Sequence, residues 1–176
     1  MQTFWKNGWR DTTPQKLVEA TGLSRSSLYA TFGDKKGVFL AALDLYVEEQ
    51  RSFLAQLLLD GTLREGLERL YALIVENMSP EGDGMTCLVV SSLLEVPAED
   101  DETIARITRG QVKMTAVYEG RFQRAIDEGE LDGTHTAREL ASFVAVVNNG
   151  IQVAARGEAS AEELRSISRM ALVTVC

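Results

Sequence analysis

A short stretch near the start of the chain, GLSRSSLYATFGDKK at residues 22–36, concentrates hydroxyl groups and cations. Arginine can form paired hydrogen bonds with a guanine edge or bind a phosphate, and hydroxyl groups, lysines and the free amides of a helix start are phosphate ligands. The stretch therefore has the chemistry of a surface that binds a phosphate backbone. Together with two threonines about ten residues before it, the candidate contact residues are Thr12, Thr13, Arg25, Ser26, Ser27, Tyr29, Thr31, Lys35 and Lys36.

Two short helices are predicted to position these groups. In the first, DTTPQKLVEATG, Thr12 or Thr13 can cap the start, Pro14 suits the first turn, and Gly22 follows the last turn. Ser24 then caps a second helix, RSSLYATF. Two short helices joined by a tight turn that contains glycine are the parts of a helix-turn-helix, whose second helix can enter a major groove. An αα-corner that binds nothing is the alternative.

The apolar residues of these two helices are expected to pack inward, which leaves the polar groups on the opposite surface. The inward set is Leu17, Leu23, Leu28 and Phe32.

The distribution of charge supports an anion-binding N-terminal part. The whole chain has a net charge of −8, which argues against a protein that coats nucleic acid along its full surface. Residues 1–40 hold six bases against three acids, a net charge of +3, whereas the rest holds twelve bases against 23 acids. This pattern indicates a basic head on an acidic body, and the alternative is a chance fluctuation in a short window.

The rest of the chain also has helical periodicity, so the predicted fold class is all-α. A long helix is expected from Asp34 to about residue 59, and capping boxes open helices at Thr62 (TLRE), Thr136 (TARE) and Ser160 (SAEE). The pair Asn149-Gly150 between apolar runs is the signal of a β-hairpin, which is the alternative for that segment. The predicted architecture is a helix-turn-helix head at residues 1–46 followed by a helical-bundle body at residues 47–176.

The segment TTPQKLVEATGLSRSSLYATFGDKKGVFLAAL resembles the DNA-binding region of the TetR family of transcriptional regulators. The likeness rests on the threonine helix start, the alanine-x-glycine-leucine-serine turn, the leucine-tyrosine pair, the phenylalanine and the lysine. It is close over residues 4–46, and beyond them it extends only to the helical layout. In that family the first helix is longer and is preceded by an arm, so here the first helix is expected to be truncated.

The resemblance implies a three-helix DNA-binding head, an all-helical body that binds a ligand, and a homodimer formed by the last two helices. Under this resemblance Lys35 contacts the DNA backbone from the helix that follows the recognition helix. The recognition-helix contacts are Arg25, Ser26, Ser27, Tyr29 and Thr31.

The last two predicted helices carry more apolar residues than one core-facing stripe needs. Two copies of this pair can form a four-helix interface, and the core of a monomer is the alternative. The predicted interface residues are Leu140, Val144, Val147, Ile151, Leu164, Ile167, Met170 and Val173.

Aromatic, methionine and other side chains within the apolar helices of the body are candidates for lining an effector cavity, although each of them also suits a filled core. Such a lining favours a small hydrophobic or aromatic effector. The candidates are Tyr71, Met78, Met85, Cys87, Met114, Tyr118, Phe122, Phe143 and Asn148.

Several other classes of function find little support in the sequence. No apolar run reaches the length of a membrane span, and the two cysteines fit a reducing compartment, so a cytoplasmic protein is expected. No phosphate-binding glycine loop, zinc spacing or catalytic histidine pair occurs, so neither an enzyme nor a cofactor or metal site is expected. The acidic run EVPAEDDE at residues 95–102 is interpreted as a solvated helix start.

The resulting hypothesis is a dimeric, ligand-responsive transcriptional regulator. We expect it to act as a repressor that binds double-stranded DNA at a near-palindromic operator and leaves it when the effector binds. The alternative is a helical DNA-binding protein that acts as an architectural or constitutive factor without an effector.

Overall fold

The computed structural model describes residues 1–77, 86–157 and 159–176. Within these ranges the chain forms nine α-helices and no strand, which confirms the all-α prediction. None of these helices combines the length and the apolar character that a membrane crossing needs. The helices are α1 (Gln2–Asp11), α2 (Pro14–Thr21), α3 (Arg25–Phe32), α4 (Lys35–Leu59), α5 (Leu63–Asn77), α6 (Leu88–Glu95), α7 (Asp101–Asp127), α8 (Ala137–Arg156) and α9 (Ala161–Val175).

The helix starts follow the capping chemistry of the sequence. Thr136 and Ser160 form complete capping boxes with the glutamates three residues later. Thr62 does the same with Glu65, whose carboxylate accepts from the Thr62 amide at 2.8 Å. Asn149 and Gly150 lie inside α8, so the hairpin alternative is wrong.

The chain divides into two compact units. The first unit contains Met1–Glu49 and Cys87–Gln111, and the second contains Gln50–Thr86 and Val112–Cys176. The division falls inside α4 and α7, so each of these helices contributes residues to both units. This grouping places α6 and the start of α7 with the N-terminal helices, whereas a domain boundary near residue 46 stays a prediction.

Aromatic side chains form much of the core of the first unit. The Phe4 ring lies edge-on to the Phe39 ring, with centroids 5.1 Å apart, and the Trp9 ring lies 4.9 Å from the same phenylalanine. Leu17 and Leu28 bring α2 and α3 to this core, as predicted.

Two residues of the predicted inward set are exposed instead. Leu23 lies in the turn before α3, and Phe32, one turn after Leu28, is the last residue of α3 and is 38% exposed at the helix end. A helix of two turns has room for few core contacts, and here Leu28 is its one buried residue.

A buried arginine fastens the end of α4 in the second unit. Arg121 is 6% exposed; its Nε donates to the Leu58 carbonyl at 3.1 Å, and its Nη2 donates to the Gly61 carbonyl at 3.2 Å. The same Nη2 lies 2.8 Å from a carboxylate oxygen of Glu130. Carbonyls at a helix C-terminus lack partners within the helix, so a cation there supplies both a donor and a favourable charge.

Candidate functional site

The groups predicted to contact DNA are presented by α3 and by the helix ends around it. Thr13 caps α2 by accepting from the Lys16 amide, and Gly22 ends that helix with a positive φ of 69°. Ser24 caps α3 by accepting from the Ser27 amide at 3.1 Å. These local hydrogen bonds fix the backbone of the turn and therefore the orientation of α3 relative to α2.

The exposed surface of α3 is rich in hydroxyl groups. Arg25, Ser26, Ser27 and Thr31 are all exposed. The Ser24 hydroxyl lies 2.9 Å from those of Ser26 and Ser27, which gives a cluster of three hydroxyls at the helix start. The structure therefore brings the predicted recognition-helix residues to one short, accessible element.

Tyr29 and Thr12 have less freedom than the sequence suggests. Tyr29 is half-buried and its ring packs against the core of the first unit, so only part of its surface is accessible. Thr12, a predicted phosphate contact, is fully buried, and its hydroxyl donates to the Gly8 carbonyl at 2.7 Å. Because its side chain is hydrogen-bonded to a backbone carbonyl where α1 is interrupted, Thr12 does not present its hydroxyl at the surface.

The close approach of the end of α3 to the first turn of α4 requires a glycine in α4. Asp34 caps α4 by accepting from the Gly37 amide at 2.8 Å. A Cβ added at Gly37 would lie 1.8 Å from the carbonyl oxygen of Phe32, well inside a van der Waals contact. Gly37 therefore allows the end of α3 to pass directly over the first turn of α4.

The two adjacent lysines at the start of α4 have different surroundings. The Lys35 ammonium lies 4.3 Å above the centre of the Trp9 ring and 3.5 Å from the Arg10 carbonyl oxygen. Burial lowers the pKa of Lys35, and the nearby carboxylate of Asp11 opposes this effect. Within the described chain, the Lys35 ammonium thus forms no salt bridge with a carboxylate.

Lys36, in contrast, forms salt bridges with two carboxylates of its own chain. Its Nζ lies 2.6 Å from Asp100 Oδ1 and 2.9 Å from Glu102 Oε2. Hydrogen bonds to Asp100 and then to Glu102 raise the pKa of Lys36. Two carboxylates more than neutralise its charge, so the structure does not support the predicted role of Lys36 as a phosphate contact.

These carboxylates belong to the acidic run at residues 95–102, for which the sequence predicts a solvated helix start. Glu95 in the same run accepts from the Trp9 amide at 2.7 Å and from the Arg10 amide at 3.4 Å. Both amides follow Gly8, where α1 breaks with a φ of 74°. Carboxylates of this run therefore bind groups of both α1 and α4 within the first unit. In the sequence, the density of negative charge is the only sign of these contacts.

The predicted dimer residues divide into a buried and an exposed set. Four of them pack into the core of their own chain, because they lie on the stripes of α8 and α9 that face the rest of the second unit; these are Leu140, Val144, Ile151 and Leu164. Val147 is half-buried against the same core.

The other three predicted dimer residues are exposed and join further apolar residues of α8. The full exposed set on the two helices is Phe143, Val146, Val153, Ile167, Met170 and Val173. We call this set the apolar face. Val146 and Met170 are each 70% exposed. Apolar side chains that group together at a surface, unlike single exposed ones, typically mark an interaction site.

The predicted effector residues are placed in several surroundings. Phe122 fills the core, and the buried Tyr118 hydroxyl accepts from the Asn148 amide at 2.7 Å. Met114 packs at the edge of the same core, while Phe143 belongs to the apolar face. Of the others, Cys87 lies in the first unit beside Tyr46, and Met78 and Met85 lie outside the described residues.

Tyr71, another predicted effector residue, lines a sizeable cavity of the second unit. This cavity lies between α5 and α9 in the second unit and has a volume of about 670 Å³. We call it the α5–α9 cavity. Its lining consists of Glu68, Tyr71, Ala72, Val75, Glu76, Arg165, Ser168, Arg169 and Leu172.

Comparison with known proteins agrees with this arrangement. The sequence model of bacterial regulatory proteins of the tetR family matches residues 1–42. The uncharacterized HTH-type transcriptional regulator YezE of Bacillus subtilis (strain 168) is 30% identical over 139 residues, which cover 77% of this chain and 71% of YezE. The HTH-type transcriptional repressor ComR of Escherichia coli (strain K12) is 28% identical over 174 residues, with 96% of this chain and 81% of ComR covered.

A solved structure gives the same result at the level of the fold. A cysteine mutant of the TetR family transcriptional regulator CifR, complexed with 26bp double-strand operator DNA, superimposes with a TM-score of 0.81 at 29% identity. The likeness covers 97% of this chain and 90% of the CifR chain. Helix-turn-helix geometry, matching residues and similarity over most of the chain lead to one conclusion: this chain belongs to the TetR family of bacterial transcriptional regulators.

Proposed function

We propose that the protein is a cytoplasmic, homodimeric repressor that binds a near-palindromic operator and leaves it when a small molecule fills its body. The observation that carries the proposal is the accessible surface of α3, where the exposed Arg25 and a cluster of three hydroxyls lie at the start of a helix held by local caps. The names of ComR, a repressor, and of the CifR complex with operator DNA support it.

Each contact residue has a distinct role in this proposal. Arg25 reads a base edge in the major groove, since an arginine can donate two hydrogen bonds to one guanine. The Tyr29 hydroxyl, the Thr13 side chain and the Lys35 ammonium hold phosphates, which fixes the position of α3 without reading sequence. Ser26, Ser27 and Thr31 supplement these contacts.

The apolar face supports the homodimer. Two reading helices must lie about 34–36 Å apart to enter successive major grooves on one side of the DNA. A symmetric pair fulfils this if the same patch of each copy meets the other, and exposed apolar residues on the two neighbouring helices α8 and α9 suit such an arrangement. In solution the face would otherwise expose six large apolar side chains to water.

The effector is proposed to act through the second unit. A molecule that binds there shifts the equilibrium only by its differential affinity for the two states, and typical couplings are about 1–3 kcal/mol. We expect the change to travel along α4 and α7, since these helices contribute residues to both units. Partial loss of operator affinity is then the expected response.

Selection of operators from a random pool of duplexes tests the DNA-binding part. The enriched sequence should contain an inverted repeat, and Arg25→Ala should change that sequence at one position of each half. Arg109→Ala is the matched control, because Arg109 is an exposed arginine of α7 in the same unit. An unchanged preference in Arg25→Ala, or no enrichment at all in moderate salt, would contradict the proposal. Transcription from a template with the selected operator then distinguishes repression from activation.

Sedimentation velocity tests the dimer. Val146→Glu places a charge in the apolar face and should give a monomer, whereas Val112→Glu, at a similarly exposed position of α7 (65%), should leave the dimer intact. A wild-type protein that sediments as a monomer at micromolar concentration would overturn the dimer.

A further inference from the structure

The α5–α9 cavity has the size of a binding site for a small organic molecule. Its volume of about 670 Å³ lies within the usual range for ligand sites, roughly 300–1,000 Å³. Apolar side chains of both helices form part of its wall, namely Ala72 and Val75 from α5 and Leu172 from α9. An apolar ligand body can therefore displace water here.

Tyr71 supplies a polar group that lacks a partner. The residue is 2% exposed, and its hydroxyl is buried without a hydrogen-bond partner among the described residues. Such an orphaned group in a native structure calls for a partner, and a ligand atom is one candidate. Burial raises the pKa of Tyr71 to about 12, so the hydroxyl stays protonated at neutral pH and can donate to an acceptor.

The charges around the cavity are not equally available. Arg165 and Arg169 lie one turn apart on α9, and neither forms an ion pair within the described part of the chain. On the opposite side, Glu68 faces Arg64 at 3.7 Å, and Glu76 already has an interaction of its own. The uncompensated charge at the cavity is therefore positive and lies on the α9 side.

We propose that the α5–α9 cavity binds an organic carboxylate with an apolar body. The carboxylate pairs with Arg165 and Arg169, the body lies against Val75 and Leu172, and the Tyr71 hydroxyl donates to an acceptor atom of the ligand. Arginine suits this task because its planar guanidinium can donate two parallel hydrogen bonds to one carboxylate. This site adds a negatively charged group to the small hydrophobic or aromatic effector that the sequence suggested.

The stripe of α9 that lines the cavity differs from the stripe that carries the apolar face. Arg165, Arg169 and Leu172 recur at spacings of four and three residues, while Met170 and Val173 point to a neighbouring side. A ligand can thus occupy the cavity without occupying the proposed dimer surface. The role of such a ligand as the effector rests on the proposed function, whereas the binding of the ligand to the cavity does not.

Calorimetric titration of the full chain with matched probes tests the site. The probes are 2-naphthoate and decanoate, the uncharged amides of both acids, and the cation 2-naphthylmethylammonium. We expect at least one carboxylate to bind tenfold or more tightly than its amide and than the cation. The double variant Arg165→Gln/Arg169→Gln should lose that preference, and Tyr71→Phe should weaken binding severalfold. Arg138→Gln, an exposed arginine of α8 outside the cavity, should change nothing.

Two results would overturn the site: neither carboxylate binds more tightly than its amide, or the preference survives in the double arginine variant. Circular dichroism of each variant shows whether the fold is retained, and the milder Arg165→Gln change serves if the double variant unfolds. Operator affinity measured with and without the carboxylate separates the two proposals. Binding without any effect on the operator would leave the site in place and remove its effector role, and absence of operator binding by the free protein would remove the proposed function alone.

Discussion

Lys35 and Lys36 offer a sharp test of how the first unit meets DNA, because two adjacent lysines have opposite surroundings. Lys36 lies between Asp100 and Glu102 at 2.6 and 2.9 Å, whereas Lys35 forms no salt bridge within the described chain. We therefore expect Lys35→Gln to change the salt dependence of operator binding and Lys36→Gln to leave it nearly unchanged.

The expected size follows from counterion release. Each neutralised phosphate contributes about 0.9 to the slope of log affinity against log salt concentration. A homodimer carries two copies, so Lys35→Gln should reduce the slope by about 1.8. Between 50 and 200 mM salt, wild type should then lose roughly twelvefold more affinity than the variant. For Lys36→Gln we expect a change in slope below about 0.5, since its charge is already neutralised in the free protein.

Fluorescence anisotropy of a labelled operator at four salt concentrations measures both slopes. Lys36→Gln leaves two carboxylates uncompensated, so the double variant Lys36→Gln/Glu102→Gln, which keeps the net charge of wild type, is the matched control. Equal reductions of the slope by Lys35→Gln and Lys36→Gln would show that Lys36 leaves its carboxylates to bind DNA. An unchanged slope in Lys35→Gln would refute the backbone contact of that lysine.

Two further predictions concern the framework that holds these surfaces. Arg121→Met should lower the free energy of unfolding by about 2–4 kcal/mol in urea titrations, because two backbone carbonyls and a carboxylate lose their buried donor. Arg124 is an exposed arginine on the same helix, so Arg124→Met should lower it by less than about 1 kcal/mol. Gly37→Ala should greatly weaken operator binding, since the new Cβ would lie 1.8 Å from the Phe32 carbonyl oxygen. Gly120 in α7 has open space around it, so Gly120→Ala should be neutral or slightly stabilising in thermal unfolding.

The sequence predicts the helices well because their ends are set by local chemistry. The boxes at Thr136 and Ser160 and the cap at Thr13 involve residues only three positions apart, so a single sequence contains all the partners. The glycine at position 22 ends α2 with a positive φ for the same local reason.

The roles of Lys36 and Thr12 could not be predicted because their partners depend on tertiary structure. The carboxylate of Asp100 lies 64 residues from Lys36 in sequence, and the acidic run that contains it carries no local sign of a preferred cation. Thr12 is buried because α1 breaks at Gly8 and exposes a carbonyl to its hydroxyl, which helical periodicity alone does not reveal.

The apolar face shows a different limit of sequence reasoning. Helical periodicity identifies which positions of α8 are apolar, but it assigns no priority when two stripes of one helix are both apolar. Ile151 and Val146 are both β-branched, yet Ile151 is buried in the core and Val146 is 70% exposed. Only the packing of α8 against the rest of the second unit separates the two sets.

The basic head has fewer free cations than its sequence indicates, and this links dimerisation to DNA binding. Of the six cations in residues 1–40, Lys36 is neutralised, and Lys16 already donates to a side-chain amide oxygen at 2.7 Å and a carbonyl at 3.0 Å. Arg25 and Lys6 have no polar partner within the described chain. One head therefore offers at most five cations to phosphates, and because the electrostatic contribution to log affinity scales with the number of phosphates contacted, a second head doubles it. A monomeric variant with an intact α3 should accordingly bind with about half the salt slope of wild type, and an equal slope would show that one head alone makes all the phosphate contacts.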